Sequence, residues 1–340
     1  MALSSLRRGF SVTAFHLAVA LSLLGAGTAT GSAQHTKISL VFPSSIETFT
    51  LPYLVAKKKG WFEEGGVDVE EVFVRGGTTA VRLLIGGSHD VSIVGLSAVF
   101  NAVLEGARLK SIGSFQPLPD YKFVAGKSVT SMKELKGRTI AVAEPGDATA
   151  FLPMMVLRKH GVATDDLKFV GVGGHSTRLL AIASNRADAT LLNSRTTVVG
   201  QKAGSINVLA SVSDELPLFG YVVLAVNENR LTDPVKRKAL QAFLEASVRG
   251  ARFILQNPEE AADILRERMP DVARDELLSV IKDLNAAKVW GVNGGSDPEI
   301  IRFSIKASLE YGALRKEISA SDIVDESLAN EVIKKLGKAE

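Results

Sequence analysis

Apolar residues fall along this chain in short runs separated by helical stripes, with small residues at the joins. Lys37-Ile38-Ser39-Leu40-Val41-Phe42 has the character of a strand, and Pro43-Ser44-Ser45 makes the turn after it. A helix is predicted from about Thr48 to Lys59. Lys57, Lys58 and Lys59 fill its last turn and Gly60 ends it. Val69 to Val74 and Val91 to Val94 read as strands. Gly76-Gly77-Thr78-Thr79 follows the first of these and Gly95-Leu96-Ser97 the second, each opening a helix. Arg138 to Ala143 and Leu167 to Val172 repeat the pattern, leading into Pro145-Gly146-Asp147-Ala148-Thr149 and Gly173-Gly174-His175-Ser176-Thr177. Ala189 to Leu192 is one more strand, ahead of Asn193-Ser194-Arg195. Short apolar strands alternating with helices predict an α/β fold with largely parallel sheets.

The pattern changes at Asp233, beyond which only helices are predicted. Asp233-Pro234 and Asp297-Pro298 each supply an N-cap followed by an N1 proline. Leu240, Phe243, Leu244, Val248, Ala251 and Leu255 form a stripe at helical spacing, read as core packing.

One internal echo stands out. Gly76-Gly77 is followed by Arg82-Leu83-Leu84 and then Asp90 before a strand. Gly173-Gly174 is followed by Arg178-Leu179-Leu180 and then Asp188 before a strand. All βα units share such features, but the ordered set favours two similar lobes in one chain.

The first residues read as an address. Arg7 and Arg8 precede an apolar run from Val12 to about Gly27, and Gly31-Ser32-Ala33 ends it in small residues. This describes a secretory signal peptide over residues 1–33, exported by the Sec or the twin-arginine route. The run is shorter than the roughly 20 residues a membrane span needs. A composition of 46% hydrophobic and 23% charged residues is that of a folded protein, so the remainder is expected to form a globular body. Forty Lys and Arg against 37 Asp and Glu leave a net charge of +3, too small for a nucleic-acid binder that neutralises phosphates. Cysteine is absent, which removes disulfides, thiolate chemistry and a cysteine lipid anchor.

Candidate chemistry gathers at the strand ends. In open parallel sheets ligands bind outside the carboxyl ends of the strands. Five loops there are built from small residues: Ser44-Ser45, Gly76 to Thr79, Gly95 to Ser97, Gly146 to Thr149 and Gly174 to Thr177. Free N–H groups and hydroxyls at helix starts can donate to a small polar or anionic ligand, although any one loop is equally explained as an N-cap. Arg75, Arg178 and Arg195 are the nearby cations. Arg178, flanked by Leu179 and Leu180, reads first as structural, and Arg195 lies within reach of the cleft. Enzyme motifs fail on inspection. Gly126-Lys127-Ser128 has Tyr121 where a P-loop needs its first glycine, and Gly174-His175-Ser176 has Arg178 where a nucleophile elbow needs its last. No histidines pair at metal-ligand spacing, and neither a metal nor a cofactor is expected.

The chain resembles the ABC-transporter substrate-binding proteins of the nitrate/sulfonate/taurine type. The resemblance is carried by Gly60-Trp61-Phe62, Val67-Asp68-Val69-Glu70, Gly76-Gly77-Thr78, Gly95-Leu96-Ser97-Ala98-Val99, Met132 to Arg138, Pro145-Gly146, Val172-Gly173-Gly174 and Asn257 to Ala261. It implies an α/β, two-lobed periplasmic binding protein of type II, each lobe a doubly wound, mostly parallel sheet, with a C-terminal helical extension on lobe one. Lobe one is expected over residues 34–124 and 222–340, and lobe two over 125–221. By position the family's ligand contacts fall on Ser44, Ser45, Thr78, Leu96, Ser97, Asp147, Ala148, Thr149, His175, Ser176 and Asn193. With Gly77, Gly146 and Arg195 from the loops themselves, these form the candidate ligand site. Asn193-Ser194-Arg195 departs from the proline-rich or apolar residues of many relatives.

The implied function is capture of a small organic or inorganic anion by hinge closure in a Gram-negative periplasm. A monomer would deliver it to a membrane permease and its ATPase subunits. Two alternatives are an enzyme on the same scaffold and a ligand sensor that docks on a receptor. The enzymes resembled use cysteine-containing sites, which this chain lacks.

Overall fold

A computed structural model describes residues 35–339, apart from 44–46, 75, 144–147 and 296. The signal-like segment and the site candidates Ser44, Ser45, Gly146 and Asp147, with Arg75, lie outside the described residues. Ten strands are β1 (Thr36–Phe42), β2 (Val67–Phe73), β3 (Val91–Gly95), β4 (Leu109–Gly113), β5 (Lys122–Gly126), β6 (Thr139–Val142), β7 (Lys168–Gly171), β8 (Ala189–Leu192), β9 (Ile206–Ser211) and β10 (Val222–Asn227). They make two five-stranded sheets, ordered β2-β1-β3-β10-β4 and β7-β6-β8-β5-β9.

The two sheets are built alike. In each, one antiparallel strand, β10 or β5, is inserted between strands that run parallel to one another. That strand is the first after the chain has crossed from the other sheet. Leu40 and Val41 pair with Val91 and Ser92 in the first sheet, and Ile140 and Ala141 pair with Ala189 and Thr190 in the second. The Ser92 hydroxyl donates to the Val41 carbonyl at 3.1 Å, and the Thr190 hydroxyl to the Ala141 carbonyl at 2.7 Å. Gly76 and Gly173 adopt φ of +85° and +87° at matching turns, a conformation that side chains with a Cβ rarely take. The internal echo in the sequence is therefore a repeated fold unit.

Both faces of the sheets are buried, as near-continuous apolar strands require. Ile38, Leu40, Val91, Ile93, Leu224 and Val226 point into one layer with the helices Leu51–Lys58 and Pro234–Gln256. Val41, Val94, Val223 and Ala225 point into the opposite layer with the helix Leu96–Leu104. In the second sheet Phe123, Ile140, Val142 and Leu191 face one layer, and Val124, Ala141 and Leu192 the other.

The chain leaves the first sheet after Gly113, enters the second at Lys122, leaves it after Ser211 and returns at Val222. β5 belongs wholly to the second sheet, so the expected lobe boundary between residues 124 and 125 would cut a strand. Beyond β10 the described elements are helices, joined by one isolated bridge between Ser111 and Val324. Helix Pro298–Glu310 serves both sheets. Its Ile301 and Ile305 pack with the first, and its Phe303 and Ala307 with the second.

Candidate functional site

Each predicted loop that the structure describes does begin a helix. Gly76 caps Gly77–Ile85, Gly95 caps Leu96–Leu104, Gly174 caps His175–Ala183, and Asn193 caps Ser194–Lys202 with its side chain accepting from the Thr196 N–H at 2.9 Å. These starts share the carboxyl ends of β2, β3, β7 and β8. Parallel strands put those ends at one edge of each sheet.

A pocket of about 160 Å³ joins the two edges. Leu96 and Ser97 line it from the first sheet, and Ala148 and Thr149 from the second. Tyr121 from the first crossing and Phe219, Gly220 and Tyr221 from the second complete the wall, with Ser304 of helix Pro298–Glu310. Four expected site residues thus meet in one cavity. Thr149 also has a structural duty, its hydroxyl accepting from the Ala143 N–H at 2.7 Å. Gly77, Thr78, His175, Ser176, Asn193 and Arg195 do not line this pocket, and Thr78 and Ser176 stand exposed.

His175 enters through Tyr121, whose ring centroid lies 5.7 Å from its own. Its Nδ1 accepts from Arg178 Nη2 at 2.9 Å and from the Asn193 N–H at 3.1 Å. Burial, and next the Arg178 charge, push its pKa down to about 3, so the imidazole is neutral. Arg178 is the structural cation that its apolar neighbours suggested. It is buried and donates to the carbonyls of Leu191 at 3.0 Å and Gly173 at 2.6 Å.

An ionisable cluster that sequence reasoning missed sits where the crossings meet. Asp120 is buried and accepts from the Ser194 N–H at 3.1 Å, tying the first crossing to the helix that carries Arg195. Burial raises its pKa against these hydrogen bonds. Glu47, after β1, is pushed up to about 7 by burial and by the Asp120 charge, opposed by Arg195. Among the described residues Arg195 Nε is buried with no hydrogen-bond partner. Tyr121 and Tyr221 stand edge to face at 5.4 Å and share a side-chain hydrogen bond. A signal for this pair was present. Pro117-Leu118-Pro119-Asp120-Tyr121 and Pro217-Leu218-Phe219-Gly220-Tyr221 repeat Pro-Leu-x-x-Tyr at the two crossings.

Helices flanking the two sheets also meet. Lys202 reaches Glu276 of helix Arg274–Ala286 at 3.1 Å, and the Arg158 guanidinium lies 5.0 Å from the Tyr311 ring centroid.

The model of the family described as NMT1/THI5 like matches residues 48–261. The chain belongs to the NMT1/THI5-like family. Among its relatives, the formylaminopyrimidine-binding protein of Halalkalibacterium halodurans is 25% identical over 270 residues, 76% of this chain and 79% of that protein. The periplasmic nitrate-binding protein NrtA of Synechocystis PCC 6803 superposes with a TM-score of 0.70 at 14% identity, covering 89% of this chain and 90% of that one. The periplasmic aliphatic sulphonate-binding protein SsuA of Escherichia coli gives 0.67 at 15% identity, covering 85% and 92%. At such identities the structures speak to the fold, which is that of the periplasmic binding proteins. The expected α/β, two-lobed architecture and the resemblance to nitrate and sulfonate binding proteins both hold.

Proposed function

We propose that this NMT1/THI5-like protein is the solute-binding component of an ABC importer. It would take a small polar solute between its two sheets and hand it to a membrane permease with its ATPase subunits. The carrying observation is the pocket shared by both sheets and both crossings. A cavity built that way changes shape when the sheets rotate about the crossings, so a ligand touching both stabilises the closed arrangement. Relatives named for formylaminopyrimidine, nitrate and aliphatic sulphonate binding set the range of solutes to test. The fold is used here for capture without turnover. The signal-like start at residues 1–33 supports a periplasmic location, and no described helix is long and apolar enough to cross a membrane.

The test is a melting and scattering experiment on the mature protein with nitrate, alkanesulfonates and formylaminopyrimidine. A solute at one hundred times its Kd adds about 2.7 kcal/mol, a rise of several degrees in Tm, and should shrink the radius of gyration. The solute should be recovered unchanged. No shift with any of them, or recovery of a product, defeats the reading.

A further inference from the structure

Two serines one helical turn apart line the pocket between the sheets, and the fold uses the hydroxyl of only one. Ser304 and Ser308 stand four residues apart on helix Pro298–Glu310, so they share a face. The Ser304 hydroxyl accepts from the Gly220 N–H at 2.7 Å and donates to the Ile300 carbonyl at 2.7 Å. Ser308 is 3% exposed, and its backbone carbonyl accepts from the Leu314 N–H at 2.9 Å. The Ser308 hydroxyl makes no hydrogen bond with the described residues. A buried hydroxyl without a partner costs free energy that alanine at the same position would not. Packing of the helix therefore gives no reason for a serine there.

The surroundings say what that hydroxyl suits. Leu96, Phe100, Pro119 and Phe219 give the pocket an apolar wall, and no Lys, Arg, His, Asp or Glu lines it among the described residues. The helix starts at Leu96 and Ala148 favour an acceptor or anionic group at their own edge of the cavity. Ser308 lies instead in the last turn of its helix, where the carbonyl end of the dipole disfavours an anion. An ammonium group would lose its hydration there with no carboxylate to pair with. An uncharged hydroxyl or amide meets neither penalty, and the serine hydroxyl can donate to it or accept from it.

Building on the binding-protein reading, we propose that Ser308 is a specificity-determining contact, hydrogen-bonding an uncharged polar end of the captured solute while the helix starts at Leu96 and Ala148 hold its other end. The C-terminal helical region, which lies outside every loop expected to form the site, then supplies a ligand-binding residue of its own. Its helix is placed for that role, because Ile301 and Ile305 pack with the first sheet and Phe303 and Ala307 with the second.

Two measurements on the parent and Ser308→Ala test this. The first is melting without solute. Ser308→Ala should keep or raise the parent Tm, because no protein group relies on the hydroxyl, whereas Ser304→Ala should lower it. The second is calorimetry with 3-hydroxypropane-1-sulfonate and formylaminopyrimidine as probes with an uncharged polar end, butane-1-sulfonate and nitrate as probes without one, and 3-aminopropane-1-sulfonate as the charged counterpart. Ser308→Ala should weaken at least one polar-ended probe by about threefold to tenfold, the worth of a neutral hydrogen bond. Butane-1-sulfonate and nitrate should stay within about twofold. The parent should hold 3-hydroxypropane-1-sulfonate more tightly than 3-aminopropane-1-sulfonate. Ser308→Ala melting as low as Ser304→Ala, weakening every probe alike or none, or a preference for the amino probe overturns the assignment and leaves the binding-protein reading standing. So does binding confined to butane-1-sulfonate and nitrate. No binding by any probe, with native melting behaviour intact, overturns both.

Discussion

Asp90 and Asp188 hold the same place in the two sheets, each accepting a backbone hydrogen bond from the strand beside its own. Asp90 Oδ2 takes the Ser39 N–H at 3.0 Å, and Asp188 Oδ2 takes the Thr139 N–H at 2.9 Å. Both stand just ahead of β3 and β8, the middle strands of their sheets, and brace the neighbouring strand, β1 or β6. Their surroundings differ. The Asp90 side chain is 7% exposed and pairs with Arg230 at 2.9 Å and Lys236 at 3.0 Å, so it ties the first sheet to the C-terminal helices. The Asp188 side chain is 28% exposed and pairs with a half-exposed Arg138.

The same substitution should therefore cost unequal amounts. Asp90→Ala strands two cations and a buried N–H, and is expected to lower unfolding free energy by about 3–5 kcal/mol. Asp188→Ala loses mainly the backbone hydrogen bond, about 1–2 kcal/mol. Urea denaturation of the two variants measures both. Equal losses would mean that the bracing of Arg230 and Lys236 contributes nothing.

The repeated unit was legible because local chemistry writes it. Glycines at positive φ, an aspartate ahead of a strand and apolar runs of four to seven residues all appear in the sequence itself. The N-caps Asp233 and Asp297 were legible for the same reason, and each accepts from the helix start it was expected to cap. Glu47 and Asp120 were not, since nothing near them in sequence fixes what they face. Asp120 matters because the first crossing brings it to Ser194, 74 residues away. The swap of β5 and β10 between sheets is equally invisible to periodicity, because either strand would be apolar in either sheet. Arg178 shows the opposite case. Its position on an apolar helix face predicted burial, and burial with three acceptors is what the fold supplies.

Ser304 links the C-terminal helices to the second crossing. Its hydroxyl accepts from the Gly220 N–H at 2.7 Å and donates to the Ile300 carbonyl at 2.7 Å, fully buried. Ser304→Ala leaves the Gly220 N–H without that acceptor, a loss of about 1–3 kcal/mol. Ser304→Thr keeps the hydroxyl and should recover part of it. Chemical denaturation distinguishes the pair, and amide exchange at Gly220 should quicken in the alanine variant.

Gly250 sets how closely helix Pro234–Gln256 approaches helix Leu51–Lys58. A methyl group there would run into the backbone carbonyl of Pro52, which no rotamer change can move aside. The intrinsic gain in helix propensity from alanine, about 1 kcal/mol, opposes this strain. Overpacking against backbone outweighs it, so Gly250→Ala should destabilise by about 1–3 kcal/mol. A rise in Tm on this substitution would show that the two helices are free to separate.

Glu47 and His175 make opposite demands on pH. The Glu47 carboxyl, ordinarily near 4.5, is raised to about 7. The folded protein holds that proton more tightly than the unfolded chain, so this contribution is complete below pH 4.5 and is lost as pH rises through 7. The His175 imidazole, ordinarily near 6.5, is lowered to about 3. Here the unfolded chain binds the proton more tightly, so the contribution is complete above pH 6.5 and is lost as pH falls through 3. Between pH 4.5 and 6.5 the two slopes, each at most about 1.4 kcal/mol per pH unit, oppose one another and largely cancel. Removing one unmasks the other. Glu47→Gln should become more stable as pH rises across that window, and His175→Asn less stable, each by on the order of 1 kcal/mol per pH unit relative to the parent. Urea titrations at pH 4.5, 5.5 and 6.5 supply the slopes. Parallel curves for parent and both variants would show that neither group is held in the protonation state its surroundings impose.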